Sequence, residues 1–326
     1  VNASLHTLQL NEPFRIAHGI SSTRQVLRIT EGVCTTEAPF VPYYGENPEE
    51  TLQILMQPIL PAALPRTAAL ALNLLRHDII CHAQNIPLRA LAEKKLGAAG
   101  KTPLGCRSFS IPDDLDVFAD KVRRISKQFR VLKLKLGSGD LGLDIATVSV
   151  ARAAAPQAFL LLDVNGGWSL DLAAPMITKL ADYSPALIEQ PIHHDLGLDA
   201  WIELRANLPA RCPLLFADES IQTVEDIIAL APFIDGVNIK LLKCGSFDTA
   251  CAMIAAARQY EQQVLLGCMI ESSLGITAAA HLAPWADHID LDGHFYVAND
   301  DFDGLQYDST GELIMPDRVG IGAVRK

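Results

Sequence analysis

The chain has 326 residues, of which 49% are hydrophobic, 20% charged and 6% aromatic, with a formal charge of −11. That much apolar material buries more core than one ordinary domain needs and excludes a disordered or low-complexity chain. The acidic balance, with no run of Lys or Arg longer than two, argues against a nucleic-acid partner. No stretch reaches the ~18 apolar residues of a membrane helix, so no membrane partner is expected. The seven cysteines show no C-x-x-C spacing. The first residues, VNASLHTLQLNEPF, lack a basic segment followed by an apolar run. Reduced thiols and no secretory leader predict a cytoplasmic protein.

Ser4–Leu10 and Gln25–Ile29 read as strands, and Pro48–Leu60 and Arg66–Gln84 as helices. Gly97–Pro103 is a turn-rich boundary. Beyond it, short apolar runs alternate with helix-like segments. The runs are Leu104–Ile111, Arg130–Leu136, Ala158–Leu162, Ala186–Ile188, Leu214–Ala217, Gly236–Leu241, Val264–Cys268 and His288–Leu291. Asp113–Gln128, Asp140–Ala155, Leu172–Tyr183, Ala200–Asn207, Val224–Leu230 and Phe247–Gln259 read as the helices between them. This rhythm predicts βα units and a parallel sheet. Eight strand candidates favour a barrel, although spacing alone leaves a doubly wound sheet open.

In a βα barrel the chemistry sits at the C-terminal ends of the strands. The run VLKLKLG ends with Lys133 and Lys135, two apart and therefore on one face. Two adjacent ammonium groups lower each other's pKa, which makes a base near neutral pH. FLLLDVN then supplies Asp163, ALIEQP Glu189 and LLFADES Asp218. These carboxylates recur about one βα unit apart. Three of them converging at a barrel mouth repel one another unless a hard divalent cation joins them, and oxygen ligands suit Mg²⁺. GVNIKLL supplies Lys240, across the barrel from Lys135. Lys243 reads as a structural or solvated loop residue. LLGCMIESS supplies Glu271, and HIDLDGH supplies Asp290 and Asp292. His193 and His194 read as loop residues, because no third ligand of suitable spacing accompanies them.

The ordered set K-x-K, D-x-N, E-Q-P, D-E-S, N-I-K and C-M-x-E-S resembles the muconate-lactonising subgroup of the enolase superfamily over essentially the whole chain. The final D-L-D-G is most similar to that of the dipeptide epimerases. The resemblance implies an α/β fold: a modified TIM barrel, (β/α)7β, at 101–295. It also implies an N-terminal α+β capping domain at 1–100, completed by a C-terminal segment at 296–326. It implies Asp163, Glu189 and Asp218 as Mg²⁺ ligands, Lys135 and Lys240 as the acid/base pair, and Lys133 as the lysine beside the first base. Asp290 and Asp292 would bind the free ammonium group of a dipeptide. Met269 and Ile270 would line the pocket.

The expected reaction is proton transfer at the α-carbon of a dipeptide's C-terminal residue. Members acting on Ala-Glu carry an arginine in the capping loop. The matching position here falls at about Gly19, with Arg24 out of register, so hydrophobic or mixed side chains are expected rather than acidic ones. His18 reads as a surface residue. The resemblance also implies a symmetric homo-oligomer. o-Succinylbenzoate synthesis and muconate cycloisomerisation use the same machinery and stay open, as does an inactive metal-binding homologue.

Overall fold

The computed structural model describes residues 2–326. An antiparallel sheet opens the chain, with β1 (Asn2–Ile16), β2 (Gly19–Glu31) and β3 (Cys34–Pro39) in that spatial order. Three helices follow: α1 (Pro48–Leu55), α2 (Arg66–Gln84) and α3 (Arg89–Leu96). Asn47 caps α1 by accepting from the Glu50 N–H, and Pro48 opens the first turn, where a missing N–H costs nothing. In α2, Leu70, Ala71, Leu74 and Leu75 are buried. Their helical spacing lays one stripe on the sheet, and α2 packs against β2 and β3.

Eight strands then alternate with helices. They run β4 (Cys106–Phe109), α4 (Leu115–Ile125), β5 (Val131–Lys135), α5 (Leu141–Ala154), β6 (Phe159–Asp163) and α6 (Leu170–Leu180). Next come β7 (Leu187–Glu189), α7 (Gly197–Ala206), β8 (Leu214–Ala217), α8 (Val224–Leu230) and β9 (Gly236–Ile239). The short α9 (Leu241–Cys244) precedes α10 (Phe247–Gln259), β10 (Gln263–Gly267), α11 (Ser273–Ala280) and β11 (His288–Asp290). The strands pair in chain order and every pairing is parallel. β11 comes back beside β4, and Ser108 on β4 bonds to Asp290 and Asp292 across that seam. The result is a (β/α)7β barrel. Cys106, Leu161, Leu187, Phe216 and Leu265 pack together inside it, so the lower barrel is a filled core.

The tail adds β12 (Phe302–Asp303), β13 (Gln306–Tyr307), β14 (Leu313–Ile314) and β15 (Val324–Arg325), paired β12–β15 and β13–β14. It returns to the cap. Arg28 on β2 pairs with Asp301 at 2.7 Å. The Leu88 N–H donates to Gly320 O and the Gly320 N–H to Ile86 O. His281, at the end of α11, is the joint between the parts. Its Nδ1 accepts from the Arg89 N–H and its Nε2 lies 3.0 Å from Ile321 O.

Several elements differ from the sequence reading: β1 and β2 run well beyond Ser4–Leu10 and Gln25–Ile29, and α9 and the tail strands are additional. β3 and α3 were not expected, and α1 stops at Leu55 rather than Leu60. α11 gave no amphipathic signal because all eight of its residues are buried. No helix among the described residues is long and apolar enough to cross a membrane.

Candidate active site

Register builds the site. Lys135 lies level with Asp163 in the β5–β6 pair, and Asp163 level with Glu189 in the β6–β7 pair. Asp218 follows the last residue of β8. Ligand oxygens of Asp163, Glu189 and Asp218 lie within 4.8 Å of one another, and all three residues are fully buried. The two residues that follow the first pair of strands have left-handed backbones: Asn165 at φ 47 and Gln190 at φ 41. Such a conformation costs on the order of 1 kcal/mol or more outside glycine. Gln190 offsets it with its side chain. Its Oε1 accepts from the Asp218 and Ser220 N–H groups, and its Nε2 donates to Ile192 O and Ser220 Oγ. The amide thus braces one ligand strand against the next.

Four lysines enter this cluster. Lys133, wholly buried, lies 3.0 Å from Asp163, 2.7 Å from Glu189 and 2.9 Å from Asp290. Lys135 is 2.6 Å from Asp163 and Lys240 is 2.6 Å from Asp218. β5 and β9 are the second and sixth of eight strands, so these two lysines reach the pocket from opposite sides of the barrel. Gly267 makes room for the second, since a Cβ there would collide with Asn238 and press on Lys240 Cε. Lys243 is not solvated. It is buried in α9, 2.5 Å from Asp218 Oδ1, and donates to the Asn238 and Asp218 carbonyls.

The expected lowering of the Lys133 pKa by its neighbour is not found. Burial alone would lower it, but Asp163, Asp290 and Glu189 hold it well above the ordinary lysine value. Burial likewise opposes the charge on Lys240, and Asp218 overcomes it and raises that pKa. Asp163, Glu189 and Asp290 all lie within 3.0 Å of the Lys133 ammonium group.

The acids still outnumber the bases. Asp163, Glu189, Asp218, Glu219, Asp290 and Asp292 face Lys133, Lys135, Lys240, Lys243 and Arg107. The excess shows in three carboxyls. Burial and then Asp163 push Glu189 up to about 8, burial and then Asp290 push Asp292 up to about 6, and burial and then Asp218 raise Glu219. Glu189 Oε2 and Asp218 Oδ1 meet positive charge only from lysines, Lys133 at 2.7 Å and Lys243 at 2.5 Å. Three fully buried carboxylates with oxygens this close together, in a cluster whose acids outnumber its bases, fit a hard divalent cation.

Asp290 and Asp292 line one pocket with Lys135, Lys240, Met269 and Ile270. Asp290 accepts from Ser108 Oγ at 2.8 Å, and Asp292 from the Ser108 N–H at 2.6 Å and from Tyr296 at 3.1 Å. Ser108, Tyr296 and Arg107 were missed. Ser108 lies inside the first apolar run, one residue before the end of β4, so a rule that takes the residue ending each run passes over it. The cap supplies the other wall through Phe14, Ile16, Arg24, Val41 and Tyr43. Glu37 on β3 seats the cap on the barrel, pairing with Arg28 at 2.8 Å and accepting from the Ser272 N–H at 3.0 Å. Arg24, out of register by counting, reaches the pocket because it pairs with Leu8 on the β1–β2 ribbon. It is 9% exposed, its Nη1 donates to Phe40 O, and its Nε has no partner. His18 is exposed and stacks near Tyr43 with ring centroids 4.9 Å apart. His193 and His194 stay outside this pocket, beside Asp195.

Residues 117–325 match the family model described as Enolase C-terminal domain-like. An L-Ala-D/L-amino acid epimerase from Pedosphaera parvula is 40% identical over 61% of this chain, a match that spans 56% of that relative. An L-Ala-D/L-Glu epimerase from Bacteroides thetaiotaomicron is 31% identical over 98% of this chain and 86% of its own length. The solved dipeptide epimerase of Cytophaga hutchinsonii, complexed with Mg and D-Ala-L-Val, superposes with a TM-score of 0.87. It is 25% identical, covering 99% of this chain and 95% of its own. Fold, site and relatives agree, and the chain belongs to the enolase superfamily.

Proposed function

We propose that this protein epimerises dipeptides at the α-carbon of the C-terminal residue, with Lys135 and Lys240 as the two acid/base groups. The observation that carries this reading is their placement, on opposite strands of the barrel yet in one pocket, beside three buried carboxylates. Relatives named as L-Ala-D/L-amino acid and L-Ala-D/L-Glu epimerases support it.

Asp163, Glu189 and Asp218 would hold Mg²⁺, and the relative from Cytophaga hutchinsonii is complexed with Mg. Bound there, the cation supplies positive charge where negative charge builds on the substrate carboxylate as the α-proton leaves. With the carboxylates shared in this way, Lys240 would gain a positive neighbour in place of a negative one, which favours its neutral, basic form. One lysine removes the α-proton and the other returns a proton to the opposite face, which inverts the centre. Lys133 stays charged and holds Asp163, Glu189 and Asp290 in place.

Asp290 and Asp292 take the dipeptide's free ammonium group by charge-assisted hydrogen bonds. The excess of carboxylates around them supports this role, since one more cation brings the cluster nearer to balance. The side chain it accepts is hydrophobic or mixed. Phe14, Ile16, Val41, Met269 and Ile270 line the pocket, and Arg24 adds a single charge.

The anchor is tested by comparing a dipeptide with its N-acetyl derivative in wild type and in Asp292→Asn. Acetylation should cost wild type roughly 10- to 100-fold in kcat/KM, and the variant should lose most of that preference. Equal turnover of both compounds by wild type would remove the ammonium anchor from the reaction.

A further inference from the structure

The cap brings together three residues that do not line the pocket of the barrel mouth. Cys34 opens β3, and Asp78 and His82 lie four residues apart on one face of α2. One ligand atom from each lies within 4.8 Å of the other two. Cys34 is 3% exposed and Asp78 4% exposed, while the His82 side chain is 39% exposed at the rim of a cleft. The tail roofs the cluster. The Ile321 N–H donates to Asp78 Oδ1 at 2.7 Å. Gly320 takes φ +70, and a Cβ there would collide with Asp78 and press on His82 Nε2. Backbone therefore comes as close to these groups as it can.

We infer that Cys34, Asp78 and His82 form a second metal site, selective for a zinc-like cation and separate from the carboxylate cluster of the barrel. The donor chemistry carries the choice of metal. A thiolate, an imidazole and a carboxylate suit zinc, whereas magnesium takes oxygen. The geometry agrees. His82 Nε2 and Asp78 Oδ2 are 3.9 Å apart, too far for a hydrogen bond. Two donors each about 2.0–2.3 Å from one ion span a separation of that order. Asp78 has one oxygen engaged by the tail and the other turned to His82. Its bond from the Ile321 N–H is the second-shell contact that orients a ligating carboxylate.

Asp78 and His82 line the cleft, so water could supply a fourth ligand. As zinc binds, Cys34 gives up its thiol proton to solvent and the thiolate takes the metal. A filled site would join β3, α2 and the tail roof, stiffening the seam that closes the cap.

The test counts metal. Chelator-treated protein is loaded with zinc in excess magnesium, which keeps the barrel carboxylates supplied, and is then desalted. Wild type should retain one zinc per chain. Cobalt in its place should give a near-ultraviolet thiolate charge-transfer band. Cys34→Ser should abolish that band, and Cys34→Ser and His82→Gln should each weaken zinc by at least about tenfold. His82 lies at the surface, so His82→Gln keeps the test valid if the buried substitution unfolds the cap. The inference is overturned if wild type retains no zinc or if the cobalt spectrum lacks the thiolate band. It is also overturned if zinc is lost from Asp163→Asn but kept by Cys34→Ser. None of these readouts uses turnover, so they stand or fall apart from the epimerase reading.

Discussion

The two walls of the pocket are built on opposite principles. The barrel wall carries charge: Lys135, Lys240, Asp290 and Asp292 line it, and Lys133, Lys243, Asp163, Glu189, Asp218 and Glu219 are buried beside them. The cap wall is apolar, with Phe14, Ile16 and Val41 around the lone charge of Arg24. A parallel strand inside a barrel can hardly shift one side chain without moving its neighbours. A hairpin laid over the mouth can exchange side chains freely. The difference puts the candidate acid/base lysines on the barrel wall and Phe14, Ile16 and Val41 on the cap wall.

The largest effects should come from the barrel wall. Lys135→Ala and Lys240→Ala should each lower kcat for epimerisation by about 10²- to 10⁴-fold. Loss of only a few-fold in both would remove them from the chemistry. Lys133→Met should act differently. It leaves Asp163, Glu189 and Asp290 without their shared cation, and removing one partner of a buried ion cluster costs about 3–5 kcal/mol. Urea denaturation of the metal-free protein measures that loss, and an unchanged midpoint would contradict the structural role.

The joint between the walls has its own pH signature. Burial lowers His281 from 6.5 to about 4, so the folded state prefers the neutral ring. Its contribution to stability is whole above about pH 6.5 and is lost as pH falls through about 4. The amount is on the order of 3 kcal/mol. His281→Gln should flatten that part of the stability–pH curve, and an unaltered slope would show that the ring is not held neutral. The smallest effect should come from the cap wall. Arg24→Met should shift side-chain preference toward apolar dipeptides by about tenfold, roughly 1.4 kcal/mol. A panel of dipeptides differing in one side chain reads it, and a uniform loss across the panel would mean Arg24 only supports the cap.

What could be read in the sequence follows from the same contrast. A strand buried in a barrel is a continuous apolar run, so the polar residue that ends it stands out, and Lys135, Asp163, Glu189 and Lys240 stood out in this way. α11 did not, because a helix buried on every side has no polar face. Lys243 read as a structural or solvated loop residue because α9 is one turn long, and burial against Asp218 is a tertiary fact. Arg24 was misjudged by counting along the hairpin. Its position comes from the cross-strand pairing with Leu8, and the β1–β2 register shifts between Gln9 and Phe14. The Cys34, Asp78 and His82 cluster joins a strand to a helix more than forty residues away, which no local pattern encodes.

The account rests most on two lysines working from opposite faces of one carbon. Wild type and the two single-alanine variants should be incubated with Mg²⁺ and pooled dipeptides in D₂O, and the mass and configuration of each dipeptide followed. Wild type should place one deuterium at the α-carbon of the C-terminal residue and invert it. Each alanine variant should lose inversion, and the variant that keeps the base for a given epimer should still exchange that epimer's proton. Inversion that survives loss of either lysine, or no deuterium in any dipeptide with wild type, would contradict the account.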